Sequence, residues 1–261
     1  MSPDQLVLYE RRERVGIVTL NRPDALNALS GAMAEQVKDA FESLHADREV
    51  WAVVLRAEGE KAFCIGADLK ERANFSLGDY YANRRSIRGM FQAIRQTPQP
   101  TIAAVFGFAL GGGCELALSC DLVVAADGTK LGLPEMRVGL LPAGGGTQLM
   151  TRKLGPARAK ELIFTGRRFD VAEGKEWGLI SRVVPRNQLD DAALELATEV
   201  TKSSPVAVRE GKAAIDAALG LPLEDGIERE DKAWRVIIES KDRAEGIAAF
   251  NEKRDPNWTN E

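Results

Sequence analysis

The sequence is poor in the residues that most often bind metals or activate a nucleophile. Its 261 residues include one histidine and three cysteines. His45 falls on the polar side of a predicted helix, and no second histidine or cysteine pair stands at ligand spacing. We therefore expect neither a zinc site nor a Ser-His-Asp triad. The cysteines are few and odd in number, which argues against a disulfide framework and fits a reducing cytoplasm.

The sequence also lacks a long uncharged hydrophobic run and an excess of positive charge. Its most apolar stretch, residues 101–120, is interrupted by glycines and by Glu115, so its uncharged part is shorter than the ~20 residues that a bilayer requires. The first ten residues hold no apolar core typical of a signal peptide. The 35 lysines and arginines against 39 aspartates and glutamates leave a net charge of −4. We therefore predict a cytoplasmic protein without a membrane span or a nucleic-acid partner.

Short apolar runs alternate with amphipathic stretches, which predicts an α/β fold with crossover connections. Strands are predicted at residues 15–20, 50–56, 101–105 and 122–126, and helices at 30–44, at 80–95 and from about residue 114. Helical patterns dominate later, at residues 157–164, 190–202, 205–218, 224–239 and 243–253. The break near Ser204 divides the chain into a predicted core, residues 1–203, and a helical C-terminal region, residues 204–261.

Three glycines, Gly111 to Gly113, precede a predicted helix that carries Glu115 in its first turn. The first N–H groups of a helix have no internal partner and lie at the positive end of its dipole. Such a terminus can bind an oxyanion that develops during a reaction. The same residues also fit a tight turn followed by a glutamate that stabilises the helix, and the two interpretations stay open on these residues alone.

Two further segments add possible partners to that helix terminus. Glu135 follows the predicted strand at residues 122–126, and two close carboxylates in an apolar pocket tend to separate their pKa values. Such a pair suits the addition of water to a carbon–carbon double bond. Residues 63–70 again join small residues to a helix start, where Asp68 fits a helix cap. No GxxxxGK[ST] motif occurs, and glycines 144–146 lack the spacing of a dinucleotide fingerprint.

Taken together, these segments resemble the crotonase superfamily, and most closely its enoyl-CoA hydratases. The resemblance covers nearly the whole chain through NRPDALNAL, FCIGADLKE, IAAVFGFALGGGCELALSCDLVVAA, LGLPEMRVGLLPAGGGTQL, AKELIFTGRRFD, GLISRVV and AFNEKRDPNW. It implies a spiral of ββα units with a C-terminal helical region used for trimerisation, in a homotrimer or a hexamer. It also implies an acyl-CoA thioester as substrate and no separate cofactor.

The resemblance further implies which residues act in the reaction. The thioester oxygen would be held by the amides of Ala67 and Gly112, and Glu115 and Glu135 would perform the hydration. Glu115 is assigned to activating water for attack on C3, and Glu135 to protonating C2. The implied substrate and CoA contacts are Arg22, Ala25, Leu26, Ile65, Gly66, Asp68, Leu69, Lys70, Gly113, Pro134, Ala143, Gly144, Phe250 and Lys253. The last two could come from a neighbouring subunit.

The sequence departs from the family pattern at two positions. Ala143 replaces a common glycine; its methyl is harmless if only its amide is used, and narrows the acyl pocket if it intrudes. Leu149 stands where an arginine often follows the Thr-Gln pair.

Other reactions within the superfamily remain open. GADLKERA and KDRAEGIAAFNEKR are similar to the branch that contains 3-methylglutaconyl-CoA hydratase. Its substrate carries a distal carboxylate, and the positive group that this would require could come from Arg72, Arg84, Arg85 or Arg88. Enoyl-CoA isomerisation is a less favoured alternative. Some members of that branch bind RNA through a lysine-rich first helix, but residues 30–48 here are acidic on balance and should repel phosphates.

Overall fold

Strands of two β-sheets alternate along the chain, and the computed structural model describes residues 5–261. The first sheet contains six strands in the order β1-β2-β3-β5-β7-β10, and the second contains four in the order β4-β6-β8-β9. The ten strands are β1 Val7–Arg12, β2 Val15–Leu20, β3 Ala52–Ala57, β4 Ala62–Cys64, β5 Thr101–Val105, β6 Phe108–Leu110, β7 Leu122–Ala126, β8 Lys130–Gly132, β9 Phe169–Asp170 and β10 Arg182–Val184.

Parallel pairing dominates both sheets. In the first sheet only β1 and β2 are antiparallel, and in the second only β8 and β9 are. The strands β2 and β5 are buried at every residue because elements cover both faces of the sheet. This explains why the strands predicted at residues 15–20 and 101–105 read as unbroken apolar runs. Both have the predicted bounds, and β7 also has them.

Eleven helices connect and cover these strands within residues 5–261. They are α1 Gly31–Ala46, α2 Leu69–Arg72, α3 Leu77–Gln96, α4 Gly112–Ser119, α5 Gly146–Leu154, α6 Pro156–Thr165, α7 Val171–Glu176, α8 Leu189–Thr201, α9 Pro205–Ala218, α10 Leu223–Glu239 and α11 Lys241–Glu252. The helix predicted from residue 30 is confirmed with its cap, since Ser30 Oγ accepts a hydrogen bond from Met33 N at 3.2 Å. Its buried face consists of Met33, Ala34, Val37, Phe41 and Leu44.

The order of these elements forms a spiral. Strand β3 lies in the first sheet and β4 in the second, and α2 and α3 follow; β5, β6 and α4 repeat the pattern. Each turn therefore contributes one strand to each sheet before a helix returns the chain. The predicted α/β spiral of ββα units with helices at the C-terminus is confirmed.

Close packing of β4 against α4 brings two loops together. A Cβ added to Gly113 would stand 2.0 Å from the carbonyl oxygen of Cys64, so only glycine fits there. A Cβ added to Gly66, whose φ is +90°, would stand 2.9 Å from Gly112 N. The loop after β4 and the start of α4 are therefore in direct contact, and this contact creates one wall of the site described below.

The C-terminal helices α9, α10 and α11 are attached to the core by Lys212, which pairs with Asp121 at 2.7 Å, and by the last residues of the chain. The fully buried Asp242 accepts hydrogen bonds from Ser204 Oγ (2.9 Å), Thr259 N (2.8 Å) and Asn260 N (3.1 Å). Asn260 in turn exchanges hydrogen bonds with Arg48 at the end of α1. The division at residues 203 and 204 stays a prediction, although Ser204 does cap α9. None of the helices in residues 5–261 combines the length and apolar character needed to cross a bilayer.

Removal of the Asp242 carboxylate should detach the C-terminal residues. Asp242→Ala leaves the Ser204, Thr259 and Asn260 donors without their acceptor, and we expect it to lower the free energy of unfolding by about 2 kcal/mol in urea denaturation. Asp231→Ala is the matched control, because the Asp231 carboxylate is exposed and forms an ion pair with Arg235 at 3.6 Å on the surface of α10. The control should change stability by less than about 0.5 kcal/mol. Equal losses in the two variants would contradict the role of Asp242.

Candidate active site

A cavity of about 420 Å³ opens where α3, α4, the loop after β4 and the segment after β8 meet. Its walls are mainly apolar and include Leu29, Ile87, Phe91, Leu140 and Leu141. Both predicted acids, Glu115 and Glu135, line it. A concave apolar pocket with a few converging polar groups is the usual form of a small-molecule site.

Glu115 lies in the first turn of α4 and is only 3% exposed. Its Oε1 atom accepts hydrogen bonds from Gly144 N and Gly146 N, both at 2.7 Å. Burial raises the pKa of the Glu115 carboxyl, and the hydrogen bonds from the Gly146 and Gly144 amides oppose that rise. The amides therefore stabilise a negative charge on a carboxylate that is nearly removed from water.

Glu135 begins a 3-10 turn, Glu135–Val138, that follows β8. Strand β8 pairs with β6, and Gly111 N donates to Gly132 O at 2.8 Å, so this turn lies beside the start of α4. Burial, and to a lesser extent the charge of Glu115, raise the pKa of Glu135 from 4.5 to about 7. Within the described residues, its Oε2 atom is buried and has no hydrogen-bond partner. This oxygen is available to a molecule that occupies the cavity.

The amides of Ala67 and Gly112 come from the two loops that touch. Leu29 N donates to Gly66 O at 2.8 Å, and Leu29 O accepts from Asp68 N at 3.0 Å. The N–H of the intervening Ala67 therefore faces away from Leu29. Gly112 N is the first amide of α4. Neither amide has an acceptor among residues 5–261. Both residues line the cavity, where such amides can bind a carbonyl oxygen.

Ten of the residues predicted for the site line this cavity. They are Ile65, Gly66, Ala67, Leu69, Gly112, Glu115, Pro134, Glu135, Ala143 and Gly144. The departure at Ala143 therefore lies on the wall itself. The roles of these residues in binding and chemistry stay predictions.

The other predicted contacts lie outside the cavity wall of this chain. Arg22 Nη1 donates to Asp68 Oδ2 at 2.6 Å, and Asp68 also caps α2 by accepting from Lys70 N. Leu26 lies in a separate groove, although its carbonyl accepts from Ile65 N at 3.3 Å. The remaining members of this set are Ala25, Lys70, Gly113, Phe250 and Lys253.

Two of these outlying residues have clear surroundings. Gly113 is packed against β4, which explains the glycine without a ligand. Phe250 is 84% exposed on α11, so a role at the site requires a neighbouring subunit. That contribution, with the one from Lys253, stays a prediction.

Helix α3 supplies a wall that, apart from Arg84, sequence reasoning did not assign to the site. Tyr80, Asn83, Arg84, Ile87 and Phe91 all line the cavity. Their spacing of three or four residues places them on one helical face. This periodicity was visible in the sequence, but nothing local indicates that the face borders a cavity rather than the core. The segment after Glu135 adds Arg137, Val138, Leu140 and Leu141.

The structure separates the four arginines considered for an acyl pocket. Arg72 and Arg84 line the cavity, whereas Arg85 and Arg88 do not. Arg72 Nη2 donates to Asn83 Oδ1 at 3.0 Å, and its buried Nε has no partner in the described part of the chain. The Arg84 charge also lowers the pKa of Glu115. Arg137, from the segment after Glu135, also lines the cavity, which therefore combines apolar walls with three cationic groups.

Residues 5–261 offer few side chains that could bind a metal ion or act as a reactive thiol. No group of three or more histidine, cysteine or acidic side chains there could hold a metal ion. The three cysteines are free and buried, and burial raises the pKa of the Cys64 thiol to about 12. His45 is exposed, as its position on the helix predicted.

Comparison with known proteins agrees with this arrangement. A sequence model of the family Enoyl-CoA hydratase/isomerase matches residues 10–261. The chain belongs to the enoyl-CoA hydratase/isomerase family. The predicted membership of the crotonase superfamily, closest to the enoyl-CoA hydratases, is thereby confirmed, and the chain is an enzyme of this type.

Named members of the family match over nearly the full chain. A probable enoyl-CoA hydratase of Mycobacterium bovis is 43% identical over 256 residues, which are 98% of either chain. The human mitochondrial methylglutaconyl-CoA hydratase is 42% identical over 267 residues, covering all of this chain and 79% of the human one. A crystal structure of an enoyl-CoA hydratase from Bacillus anthracis superposes with a TM-score of 0.96 and 41% identity, covering 98% of this chain and all of the other.

The raised pKa of Glu135 predicts a pH-dependent stability. Its pKa of about 7 exceeds the ordinary value of 4.5, so proton binding favours the folded protein below pH 4.5, and this contribution is lost as the pH rises through 7. Glu135→Gln stays neutral at every pH. Its Tm should match that of the wild type at pH 4.5 and exceed it by about 2–5 °C at pH 8.

The control for this measurement is Glu42→Gln, which changes an exposed glutamate on α1. Its Tm difference from the wild type should not depend on pH. A Glu135→Gln difference that stays constant between pH 4.5 and 8 would show that this carboxyl has no unusual affinity for protons.

Proposed function

We propose that the protein is an enoyl-CoA hydratase that adds water reversibly to a trans-2-enoyl-CoA and produces a 3-hydroxyacyl-CoA. One observation carries the proposal: two carboxyl groups share a cavity with two backbone amides that have no acceptor among residues 5–261. Isomerisation of an enoyl-CoA could proceed with a single acid–base group. The presence of both acids therefore favours hydration.

The amides of Ala67 and Gly112 would bind the thioester carbonyl oxygen. Their hydrogen bonds draw electron density from the conjugated system, which makes C3 electrophilic and stabilises the enolate-like transition state. In a cavity with low access to water such donors act strongly, and removal of one typically costs about 10²–10³-fold in rate. The substrate carbonyl would supply the acceptor that these amides lack in the described part of the chain.

The two glutamates would divide the proton transfers. Glu115, held as a carboxylate by Gly144 N and Gly146 N, accepts a proton from water as the water oxygen bonds to C3. Glu135, whose pKa of about 7 keeps it partly protonated at neutral pH, donates its proton to C2. The C2=C3 π bond, one O–H bond of water and the Glu135 O–H bond break, and the C3–O, C2–H and Glu115 O–H bonds form. Proton exchange with water then restores both groups.

The CoA portion would lie along the segment from Arg22 to Leu26 and the loop after β4. These two segments are joined by the bond of Ile65 N to Leu26 O and by the Arg22–Asp68 ion pair. Lys70 would add a charge that suits phosphate. A homotrimer or hexamer would bring Phe250 and Lys253 to a neighbour's site. Apolar side chains exposed on the C-terminal helices, among them Ile215, Trp234 and Ile247, support assembly.

Substitution of either acid should lower the rate of hydration without weakening substrate binding. Glu115→Gln and Glu135→Gln keep the side-chain shape but cannot exchange the required protons, so each should lower kcat by about 10²–10⁴-fold. The measurement is the loss of enoyl-thioester absorbance with crotonyl-CoA, and calorimetry should show acyl-CoA affinity within about threefold of wild type. Glu42→Gln, on the far surface of α1, is the control and should keep full activity. Near-normal kcat in either site variant would remove that residue from the mechanism.

A second candidate is the hydration of 3-methylglutaconyl-CoA, whose acyl group ends in a carboxylate. Arg84 and Arg72 line the cavity and could pair with that carboxylate. The buried Nε of Arg72, which has no partner in the described residues, supports a ligand with acceptor oxygens there. The human methylglutaconyl-CoA hydratase is among the relatives, at 42% identity.

A two-substrate comparison should decide between these candidates. If the enzyme accepts the carboxylated substrate through Arg84, Arg84→Met should lower kcat/KM for 3-methylglutaconyl-CoA by about tenfold or more relative to that for crotonyl-CoA, because a charge-assisted hydrogen bond is lost. Arg85→Met is the matched control, since Arg85 is the adjacent arginine but does not line the cavity. An unchanged ratio in Arg84→Met, or a wild-type preference for crotonyl-CoA, would favour the simple enoyl substrate.

A further inference from the structure

Arg95, near the end of α3, contacts the loop that holds Glu115 but takes no part in the chemistry proposed above. Its Nη1 atom donates to the carbonyl oxygen of Gly144 at 2.9 Å. The described part of the chain gives Arg95 no carboxylate at ion-pair distance. Loss of water lowers the pKa of the Arg95 guanidinium, and the charge of Glu115 opposes this. Arg95 thus lies within the electrostatic influence of the buried acid.

The hydrogen bond to Gly144 O acts on a peptide group that also faces Glu115. The carbonyl of Gly144 and the N–H of Gly145 belong to one planar trans peptide and point in opposite directions. The Gly145 N–H is among the amides that lower the pKa of Glu115. Arg95 and Glu115 therefore interact with opposite ends of the same peptide dipole, with the cation at its oxygen and the carboxylate at its N–H.

This glycine loop, residues 143–146, needs an external restraint. Three consecutive glycines adopt many backbone conformations, and Gly145 has a φ of +128°. Helix α3 limits the loop on one side, since a Cβ on Gly144 would stand 2.2 Å from Phe91. Packing alone does not select the direction in which each amide points. The hydrogen bond from Arg95 to the Gly144 carbonyl fixes the orientation of the Gly144–Gly145 peptide.

The departure at Leu149 is relevant to the same peptide. Leu149 Cδ1 lies 3.3 Å, and Arg95 Nη1 3.4 Å, from the point that a Cβ on Gly145 would occupy. The apolar Leu149 can pack there but cannot donate a hydrogen bond. Arg95 reaches the peptide from another helix and supplies the donor.

We propose that Arg95 is a positioning residue, which holds the glycine loop so that its amides face Glu115. The inference rests on the proposed function, because the consequence is a change in how Glu115 handles the proton of water. Without the restraint, the amides would spend less time directed at the carboxylate. Glu115 would then hold its proton more tightly and would be misplaced relative to the water that it activates.

The charged groups around Glu115 define the expected pH effect. Helix α2 contributes Arg72, helix α3 contributes Arg84 and Arg95, and the segment after β8 contributes Glu135 and Arg137. Arg95 differs from the other cations because its hydrogen bond is to the loop. Loss of loop order removes donors to the charged form of Glu115, so the acid limb of the kcat profile should move to higher pH.

Arg95→Met tests the proposal because it keeps an apolar stem and removes the donor. Hydrogen exchange of the peptide that contains residues 143–146, followed by mass spectrometry, should be at least about tenfold faster in this variant. With crotonyl-CoA, kcat should fall by roughly 10–100-fold with KM within about threefold, since misplacing a catalytic group by an ångström can cost about a hundredfold. Arg95→Lys, which retains a cationic donor, should recover most of both effects.

Arg152→Met is the matched control, because Arg152 also donates to a backbone carbonyl, that of Gln148, but from the exposed side of α5. Arg152→Met should leave the hydrogen exchange of residues 143–146 and kcat unchanged.

The positioning role is overturned, even if activity falls, if hydrogen exchange of residues 143–146 is unaltered in Arg95→Met. It is also overturned if Arg95→Lys does not restore the slow exchange and the kcat that Arg95→Met loses. A wild-type enzyme that does not hydrate crotonyl-CoA or 3-methylglutaconyl-CoA overturns the proposed function instead, while the exchange measurement still tests the restraint. If Arg95→Met does not fold, the comparison of Arg95→Lys with Arg95→Gln provides the same test.

Discussion

The hydrogen bonds between the Glu115 carboxylate and the Gly144 and Gly146 amides are the interaction on which the rest of the site depends. Burial of a carboxylate favours its protonated form and raises the pKa of Glu115, and hydrogen-bond donors to the charged form oppose that rise. The two amides, both at 2.7 Å, provide this stabilisation without adding a side chain to the cavity. Glu135 has no such donor to its Oε2 within residues 5–261, and its pKa rises to about 7. The different surroundings of the two acids suit opposite proton transfers.

Glycine makes this geometry possible through close approach rather than flexibility alone. Gly113 allows α4 to begin against the carbonyl of Cys64, and Gly66 allows the preceding loop to touch Gly112 N. A side chain at either position would separate the amides of Ala67 and Gly112. The two sheets of the spiral hold these loops, since β4, β6 and β8 are neighbours in one sheet and each ends at the site. The fixed order of these strands therefore fixes the positions of the backbone N–H groups at the site.

The local elements were largely predictable from residue patterns. Strands β2, β5 and β7 and helix α9 have the predicted bounds, because unbroken apolar runs and capped amphipathic repeats leave few alternatives. The acids and amides were predictable through the resemblance to the crotonase superfamily, since their motifs are local. The face of α3 that lines the cavity was not, because the same apolar spacing would also suit a helix packed on a core. Arg95 was likewise unassigned, since its contact lies 49 residues away in the chain.

The sequence by itself determined the class of fold, the helix caps and the identity of the two acids, because these depend on neighbours within a few residues. Only the tertiary structure decided which arginines reach the cavity, that Asp68 is paired with Arg22, and how strongly each glutamate binds its proton. These properties depend on burial and on donors from distant segments. Two glutamates that are alike in the sequence therefore acquire different hydrogen-bond surroundings once the chain encloses them.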